Sequence, residues 1–160
     1  MTATGELIIM PPTGGETGDI NSEINYQLRR WTKQNKLGKC FDSSTCFRLP
    51  NGAECSPDAS WVKLEPWEAL SVAERQSFPL LVPDFVVELR SPSDRLNTVR
   101  EKMQEYINNG VGLGWLINPQ NQQVEIYRPG QSPQVLEFPK EIFGEDVLPG
   151  FVLDSSEILV

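Results

Sequence analysis

Apolar residues recur along this chain with two different periods, and these periods predict its elements. A helical stripe predicts an amphipathic helix over about residues 19–34, and its apolar positions are Ile20, Ile24, Leu28 and Trp31. A second stripe predicts a helix over roughly residues 95–109, with Ser93 or Asp94 as its cap and Asn109-Gly110 at its end. Lys102 lies at the margin of that second stripe, where its stem can bend inward.

Strand patterns occupy most of the chain between and after these helices. Residues 40–62 alternate with period two around a turn at 49–52 and predict a hairpin, while residues 83–89 are nearly all apolar, as in a strand buried on both faces. Further strands are expected at 114–118 and 123–127, with short pieces at 134–138 and 147–153. Residues 6–10 predict a short strand or an extended arm. The pattern favours an α/β fold, a central mixed β-sheet flanked by the two helices.

Length and composition favour a single domain over residues 1–160. No basic segment followed by an apolar run opens the sequence, and no stretch approaches the roughly 18 apolar residues that span a bilayer. The expected location is therefore cytoplasmic. Cys40, Cys46 and Cys55 are odd in number and lack metal-ligand spacing, which favours free thiols.

Histidine is absent, and this excludes several classes of chemistry. Nucleophiles activated by histidine and zinc sites that need imidazole cannot be built. Hard metals bound by oxygen remain available. The net charge of -8 argues against nucleic-acid binding, since that affinity comes from Lys and Arg on phosphates. A nuclease would need a local basic patch or metal-dependent binding.

Three residues carry the candidate chemistry. Asp58 follows Pro57 in the second arm of the hairpin, Glu88 stands near the end of the apolar strand, and Lys102 lies on the helix that follows. Two carboxylates and a lysine are the parts of a divalent-metal phosphodiesterase site. The competing interpretation is structural: Asp58 caps a turn, Glu88 pairs with Arg90 or Lys102, and Lys102 is a solvated helix residue.

The ordered motifs of this chain resemble the Uma-type restriction endonucleases, a family common in cyanobacteria and placed in the PD-(D/E)XK nuclease superfamily. The resemblance spans nearly the whole chain and rests on PTGGETG (12–18), FDSST (41–45), SPDASWV (56–62), PDFVVELRSPSD (83–94), KMQEY (102–106) and GWLI (114–117). It implies a restriction-endonuclease-like core that binds Mg²⁺, or Mn²⁺ in its place, and hydrolyses DNA phosphodiester bonds as an endonuclease. A homodimer is the expected assembly for cutting both strands.

The resemblance also implies roles for single residues. Asp58 and Glu88 would be the metal ligands, with the backbone carbonyl of Leu89 as a third. Arg90 stands where the superfamily usually has lysine, so Lys102 would replace that lysine from the following helix. Arg90 remains a candidate phosphate clamp. Glu16 and Glu23 are candidates for an additional acidic residue near the start of the first helix.

A second hypothesis comes from a different class of protein. A nuclease fold that has lost catalysis could serve as a module that binds a protein partner or nucleic acid. The position of Lys102 distinguishes the two, because a catalytic Lys102 must approach Glu88 whereas a solvated one points away.

Overall fold

The computed structural model describes residues 1–9 and 11–160. The chain forms four helices and ten strands in the described residues, together with a short 3-10 turn at Pro119–Asn121. The helices are α1 (Gly15–Asn35), α2 (Leu64–Ala69), α3 (Val72–Gln76) and α4 (Leu96–Asn108). The strands are β1 (Gly38–Asp42), β2 (Phe47–Arg48), β3 (Glu54–Cys55), β4 (Ala59–Lys63), β5 (Phe85–Leu89), β6 (Leu113–Asn118), β7 (Gln123–Tyr127), β8 (Gln134–Glu137), β9 (Glu141–Phe143) and β10 (Val152–Asp154).

Six strands form one mixed sheet in the order β1-β4-β5-β6-β7-β8. Only β5 and β6 run parallel within it; the other neighbours are antiparallel. Parallel neighbours need a long crossover connection, and α4 supplies it. The predicted α/β class with a central mixed sheet is therefore confirmed.

The two faces of the sheet carry separate cores. Phe85, Val87 and Leu89 of β5 point toward the core that contains the buried side of α1. Val86, between them, points toward the core under α4. All five residues of β5 are buried, as the apolar run predicted. Glu88 follows the same alternation, and it is therefore directed to the α4 face.

Both main helices depart from their predicted starts. α1 begins at Gly15 rather than near residue 19, because Gly14 in an extended conformation serves as the N-cap without a side chain. α4 begins at Leu96 with Arg95 as the N-cap. Asp94 does not cap it, because its carboxylate accepts hydrogen bonds from the backbone N–H and the hydroxyl of Ser91 at 2.8 and 2.7 Å.

The remaining predictions hold in part. The segment 40–62 contains a small β2–β3 hairpin inside the larger β1–β4 pairing, rather than one simple hairpin. Residues 6–9 form no strand, and the end of that predicted segment, Met10, lies outside the described residues. Near the end of the chain, β9 pairs with β10, and residues 147–151 are not a strand.

Two further predictions concern the surroundings of the protein. Cys40, Cys46 and Cys55 are free thiols, as their odd number suggested. In the described part of the chain, none of the helices has the length and apolar character required to cross a membrane.

Candidate metal-dependent active site

Asp58 lies immediately before β4 and opposite Glu88 on the neighbouring strand. The register that pairs Ala59 with Val87 places these two carboxylates side by side on the α4 face of the sheet. The backbone N–H of Leu89 donates to Asp58 Oδ2 at 2.8 Å, so a side chain ends the strand pairing here. The hydrogen bond fixes the carboxyl group and leaves its second oxygen available to a cation.

Glu88 receives two donors from α4 on a single oxygen. Lys102 Nζ lies 2.8 Å from Glu88 Oε1, and the Tyr106 hydroxyl donates to the same atom at 2.8 Å. Lys102 and Tyr106 are four residues apart and therefore share one side of the helix. The crossover helix thus delivers a cation to the carboxylate pair, and Lys102 does not point away into solvent.

Asp58 is held in an unfavourable electrostatic environment. Burial and the neighbouring Glu88 carboxylate raise the pKa of Asp58 to about 7, against the lowering influences of the Leu89 N–H hydrogen bond and of Lys102. The site therefore carries more negative charge than Lys102 alone offsets. Such a pair is suited to a divalent cation.

Lys102 remains an ammonium ion at neutral pH. Burial lowers its pKa, but attraction to Glu88, the hydrogen bond to that residue and attraction to Asp58 together outweigh burial, so the pKa lies above its usual value. Its side chain is 30% exposed. Lys102 can therefore orient a water molecule or stabilise negative charge, but it is not a neutral base.

We expect the metal-free protein to lose stability as the pH rises through about 7. Asp58 binds its proton more tightly when folded, with a pKa of about 7 against about 3.9 when unfolded. The contribution to stability is complete below the unfolded pKa and is lost as the pH rises toward the folded one, by a few kcal/mol at about 1.4 per pKa unit. Urea unfolding in EDTA from pH 4.5 to 8.5 measures it. Asp58→Asn should remove most of this slope, and an identical slope in that variant would contradict the assignment.

Arg90 lies beside the site but outside its charge pairing. Its guanidinium donates to the carbonyl of Asp94 and to Asn118 Oδ1, each at 3.3 Å. No carboxylate of the described residues forms a salt bridge with it. The pairing of Glu88 with Arg90 that the structural interpretation allowed is therefore replaced by the pairing with Lys102, and Arg90 keeps donors for a ligand.

The two auxiliary acidic candidates lie elsewhere. Glu16 is an exposed residue in the first turn of α1. Glu23 accepts a hydrogen bond from Gln27 at 2.8 Å and lines a concavity with residues of the C-terminal segment, including Ser156 and Glu157. Neither residue has a hydrogen bond or salt bridge to Asp58 or Glu88 among the described residues, and α1 packs on the opposite face of the sheet from α4.

A second buried glutamate was missed in the sequence. Glu125 of β7 accepts bidentate hydrogen bonds from Arg100, the shortest at 2.6 Å, and one from the Tyr127 hydroxyl at 2.7 Å. Leu116 of β6 pairs with both Glu88 and Glu125, so the two glutamates share one row and one face. Arg100 and Lys102, on opposite sides of α4, thus bind glutamates on its two flanks. Arg100 and Lys102 are two residues apart in a helix, which places them on opposite sides of α4. This spacing was the sequence signal for a second acidic partner of the helix.

The donor set fits a hard divalent cation that keeps part of its hydration. The described residues contain no group of three or more His, Cys, Asp or Glu side chains placed to hold a metal. Mg²⁺ commonly binds through one or two carboxylates and completes its coordination with water and substrate phosphate oxygens. Asp58 and Glu88 match that requirement, whereas a cage of protein ligands alone is not present in the described residues.

Comparisons with known proteins agree with this architecture. A solved structure from Anabaena variabilis ATCC 29413, described as "a putative nuclease belonging to DUF820", superimposes with a TM-score of 0.80 and 22% sequence identity. The match covers 97% of this chain and 86% of that chain. At this identity the likeness shows the fold. No curated protein matches the sequence significantly.

The mixed sheet and its crossover helix define an α/β protein that shares the fold of this solved structure. A family model described as "Putative restriction endonuclease" matches residues 2–156. The chain belongs to this family, Uma2.

Proposed function

We propose that this protein is a Mg²⁺-dependent endonuclease that hydrolyses DNA phosphodiester bonds. The observation that supports this most is the convergence of Asp58, Glu88 and Lys102, with Lys102 Nζ 2.8 Å from Glu88 and Asp58 opposite Glu88 on the adjacent strand. Membership of the Uma2 family supports the same reaction class. The test is conversion of supercoiled plasmid to nicked or linear DNA in Mg²⁺, with EDTA as the control.

Asp58, Glu88 and the backbone carbonyl of Leu89 would hold the metal. Mg²⁺, or Mn²⁺ in its place, would neutralise charge on the scissile phosphate and lower the pKa of a bound water. Asp58 and Glu88 supply the negative charge that attracts the ion. Glu88 is buried and Asp58 is half-buried, so water is restricted and charge interactions at the site are strengthened.

Lys102 would act on the reacting phosphate as a fixed cation. Its ammonium group is already held at the carboxylate pair, so little reorganisation is needed when negative charge develops on the phosphate oxygens. Arg90 would contact a phosphate next to the scissile bond. Its planar guanidinium, with several N–H donors in a fixed fork, suits that contact.

The distribution of cations favours a small DNA footprint. Arg100 and Lys102 are paired with buried glutamates, and Arg29, Arg30 and Lys33 lie on α1, across the sheet from the site. Arg90 and the exposed Arg95 are the site-side arginines without a carboxylate partner among residues 1–9 and 11–160. With a net charge of -8, the protein should bind DNA weakly and depend on the metal for much of its affinity.

We expect the affinity for DNA to decrease only moderately as the salt concentration rises. About two to four phosphate contacts per protomer correspond to a log-log slope of roughly -2 to -4, at about -0.9 per contact. Arg90→Ala should weaken binding and reduce that slope by about one contact, with little change in the rate at saturating DNA. Fluorescence anisotropy with Ca²⁺ in place of Mg²⁺ measures binding without cleavage.

Arg29→Ala is the matched control for this prediction, because it removes an exposed arginine from the opposite face. Equal losses in the two variants would mean that the charge effect is not local to the site. Metal-supported binding that never leads to cleavage would instead favour the alternative function, a nuclease-fold module that binds nucleic acid or a protein partner.

Two expectations about the cellular context belong to the same proposal. Cutting both strands with one site per chain would require a second copy, so the working form is a homodimer with two-fold symmetry. We infer a cytoplasmic location, where the free thiols stay reduced and the DNA substrate is accessible.

A further inference from the structure

Tyr106 lies next to both members of the ion pair between Glu88 and Lys102. Its hydroxyl donates to Glu88 Oε1 at 2.8 Å, and Lys102 Nζ lies 6.0 Å from the centroid of its ring. The side chain is almost completely buried, with 1% of the residue exposed. A buried hydroxyl is costly unless it is hydrogen-bonded, so this contact is well determined.

The two donors act on the same atom, and this has a consequence for metal binding. With Lys102 and Tyr106 both on Oε1, the second oxygen of Glu88 is the one left for a metal ion. Without the hydroxyl, Lys102 alone would hold Oε1, and its flexible stem restricts the carboxylate plane less than a rigid phenol does. The Tyr106 hydroxyl is therefore the contact that most restricts the orientation of the Glu88 carboxylate plane.

We propose that Tyr106 is a positioning residue of the metal site, one that fixes the Glu88 carboxylate for Mg²⁺ without contacting the metal or the substrate. This inference rests on the proposed function, because it assumes that Asp58 and Glu88 bind a divalent cation. Groups that hydrogen-bond to metal ligands orient them, and their loss typically lowers metal affinity by about 10- to 100-fold.

The other flank of α4 provides a matched control. Tyr127 is also buried, with 4% exposed, and its hydroxyl also donates to a buried glutamate, Glu125, at 2.7 Å. Arg100 pairs with that glutamate as Lys102 does with Glu88. Tyr127→Phe thus removes the same hydroxyl from a similar environment two strands away, where the cross-strand neighbours of Glu125 are Leu116 and Val135 rather than a second carboxylate.

The test is a Mg²⁺ titration of the wild type, Tyr106→Phe and Tyr127→Phe by isothermal calorimetry, together with thermal unfolding in EDTA. Tyr106→Phe should raise the dissociation constant for Mg²⁺ about tenfold. Tyr127→Phe should leave it within about twofold of the wild type, even where the two variants lose similar thermal stability in EDTA. This difference separates positioning from general stabilisation.

The possible results test the positioning role of Tyr106 separately from the proposed metal-dependent function. Unchanged Mg²⁺ affinity in Tyr106→Phe, beside clear binding by the wild type, would overturn the positioning role and leave the metal site standing. Equal losses in both tyrosine variants would overturn it as well, since loosening of α4 would then suffice. Absence of Mg²⁺ binding by the folded wild type would overturn the proposed function itself.

A second measurement keeps the inference testable if Tyr106→Phe fails to fold. 3-Fluorotyrosine at position 106 retains the hydroxyl and reports its surroundings by ¹⁹F NMR. Its resonance should shift during the Mg²⁺ titration with the same midpoint as binding, whereas 3-fluorotyrosine at position 127 should not respond. A silent label at 106 under saturating Mg²⁺ would contradict the proposal.

Discussion

Asp58→Asn should abolish Mg²⁺-dependent cleavage while making the metal-free protein more stable at pH 8. The amide can still accept the hydrogen bond from Leu89 N–H, so the start of β4 keeps its position. It cannot supply the negative charge that holds the ion, and we expect a rate loss on the order of 10³-fold or more. Plasmid nicking measures the rate, and urea unfolding in EDTA measures the stability.

Glu88→Gln should also abolish cleavage, but with the opposite effect on stability. Removing this charge leaves the Lys102 ammonium without its partner and changes the acceptor of the Tyr106 hydroxyl, so the metal-free protein should be less stable. The matched control is Glu125→Gln, a buried glutamate on the same row of the sheet. It should lose stability and keep its dependence on Mg²⁺.

The opposite signs expected at positions 58 and 88 make this pair of variants informative. A gain in stability with loss of activity is typical of a residue retained for function at the expense of the fold. If Asp58→Asn instead unfolds the protein, or cleaves plasmid at the wild-type rate, the carboxyl is structural and the ligand assignment is wrong.

Lys102→Met is expected to lower the cleavage rate at saturating DNA on the order of 10²-fold or more, with little change in DNA affinity. Methionine retains much of the apolar stem of the lysine side chain, while it removes the ammonium beside Glu88. A group whose charge is used in the transition state affects the rate more than binding. Single-turnover cleavage and anisotropy in Ca²⁺ separate the two quantities.

Arg100→Met is the control for that variant, since it removes the cation from the other flank of the same helix. It should lower the stability of the protein, because Glu125 loses its partner, and it should affect the cleavage rate far less than Lys102→Met. The opposite result would be a lower cleavage rate in Arg90→Ala and a lower DNA affinity in Lys102→Met. It would mean that Arg90, two residues after Glu88, is the catalytic cation.

Much of the site could be predicted from sequence because strand alternation and helical spacing are local properties. The apolar run of β5 correctly predicted a buried strand, and period two within it directs Glu88 to the face opposite Phe85 and Val87. The helical stripe placed Lys102 at its inner margin. A strand followed by its packing helix then brings Lys102 near Glu88 by topology alone.

The rest depended on how the elements are aligned with one another. That Asp58 lies opposite Glu88 follows from the register of β4 against β5, which the alternation of either strand does not determine. The cations of α1 and α4 lie on opposite faces of the sheet because each helix covers a different face, which the helical spacing of either helix does not determine. The hydrogen bond from Tyr106 to Glu88 also depends on how α4 lies across the sheet, which helical spacing does not determine.

The central claim is that Asp58, Glu88 and Lys102 form a metal-dependent phosphodiesterase site. A supercoiled-plasmid assay with purified protein, across Mg²⁺ and Mn²⁺ concentrations and with EDTA, tests it most directly. The predicted result is nicking that rises with metal concentration, stops in EDTA and is lost in Asp58→Asn. Intact plasmid at every metal concentration, with folded protein that binds neither metal nor DNA, would contradict the claim.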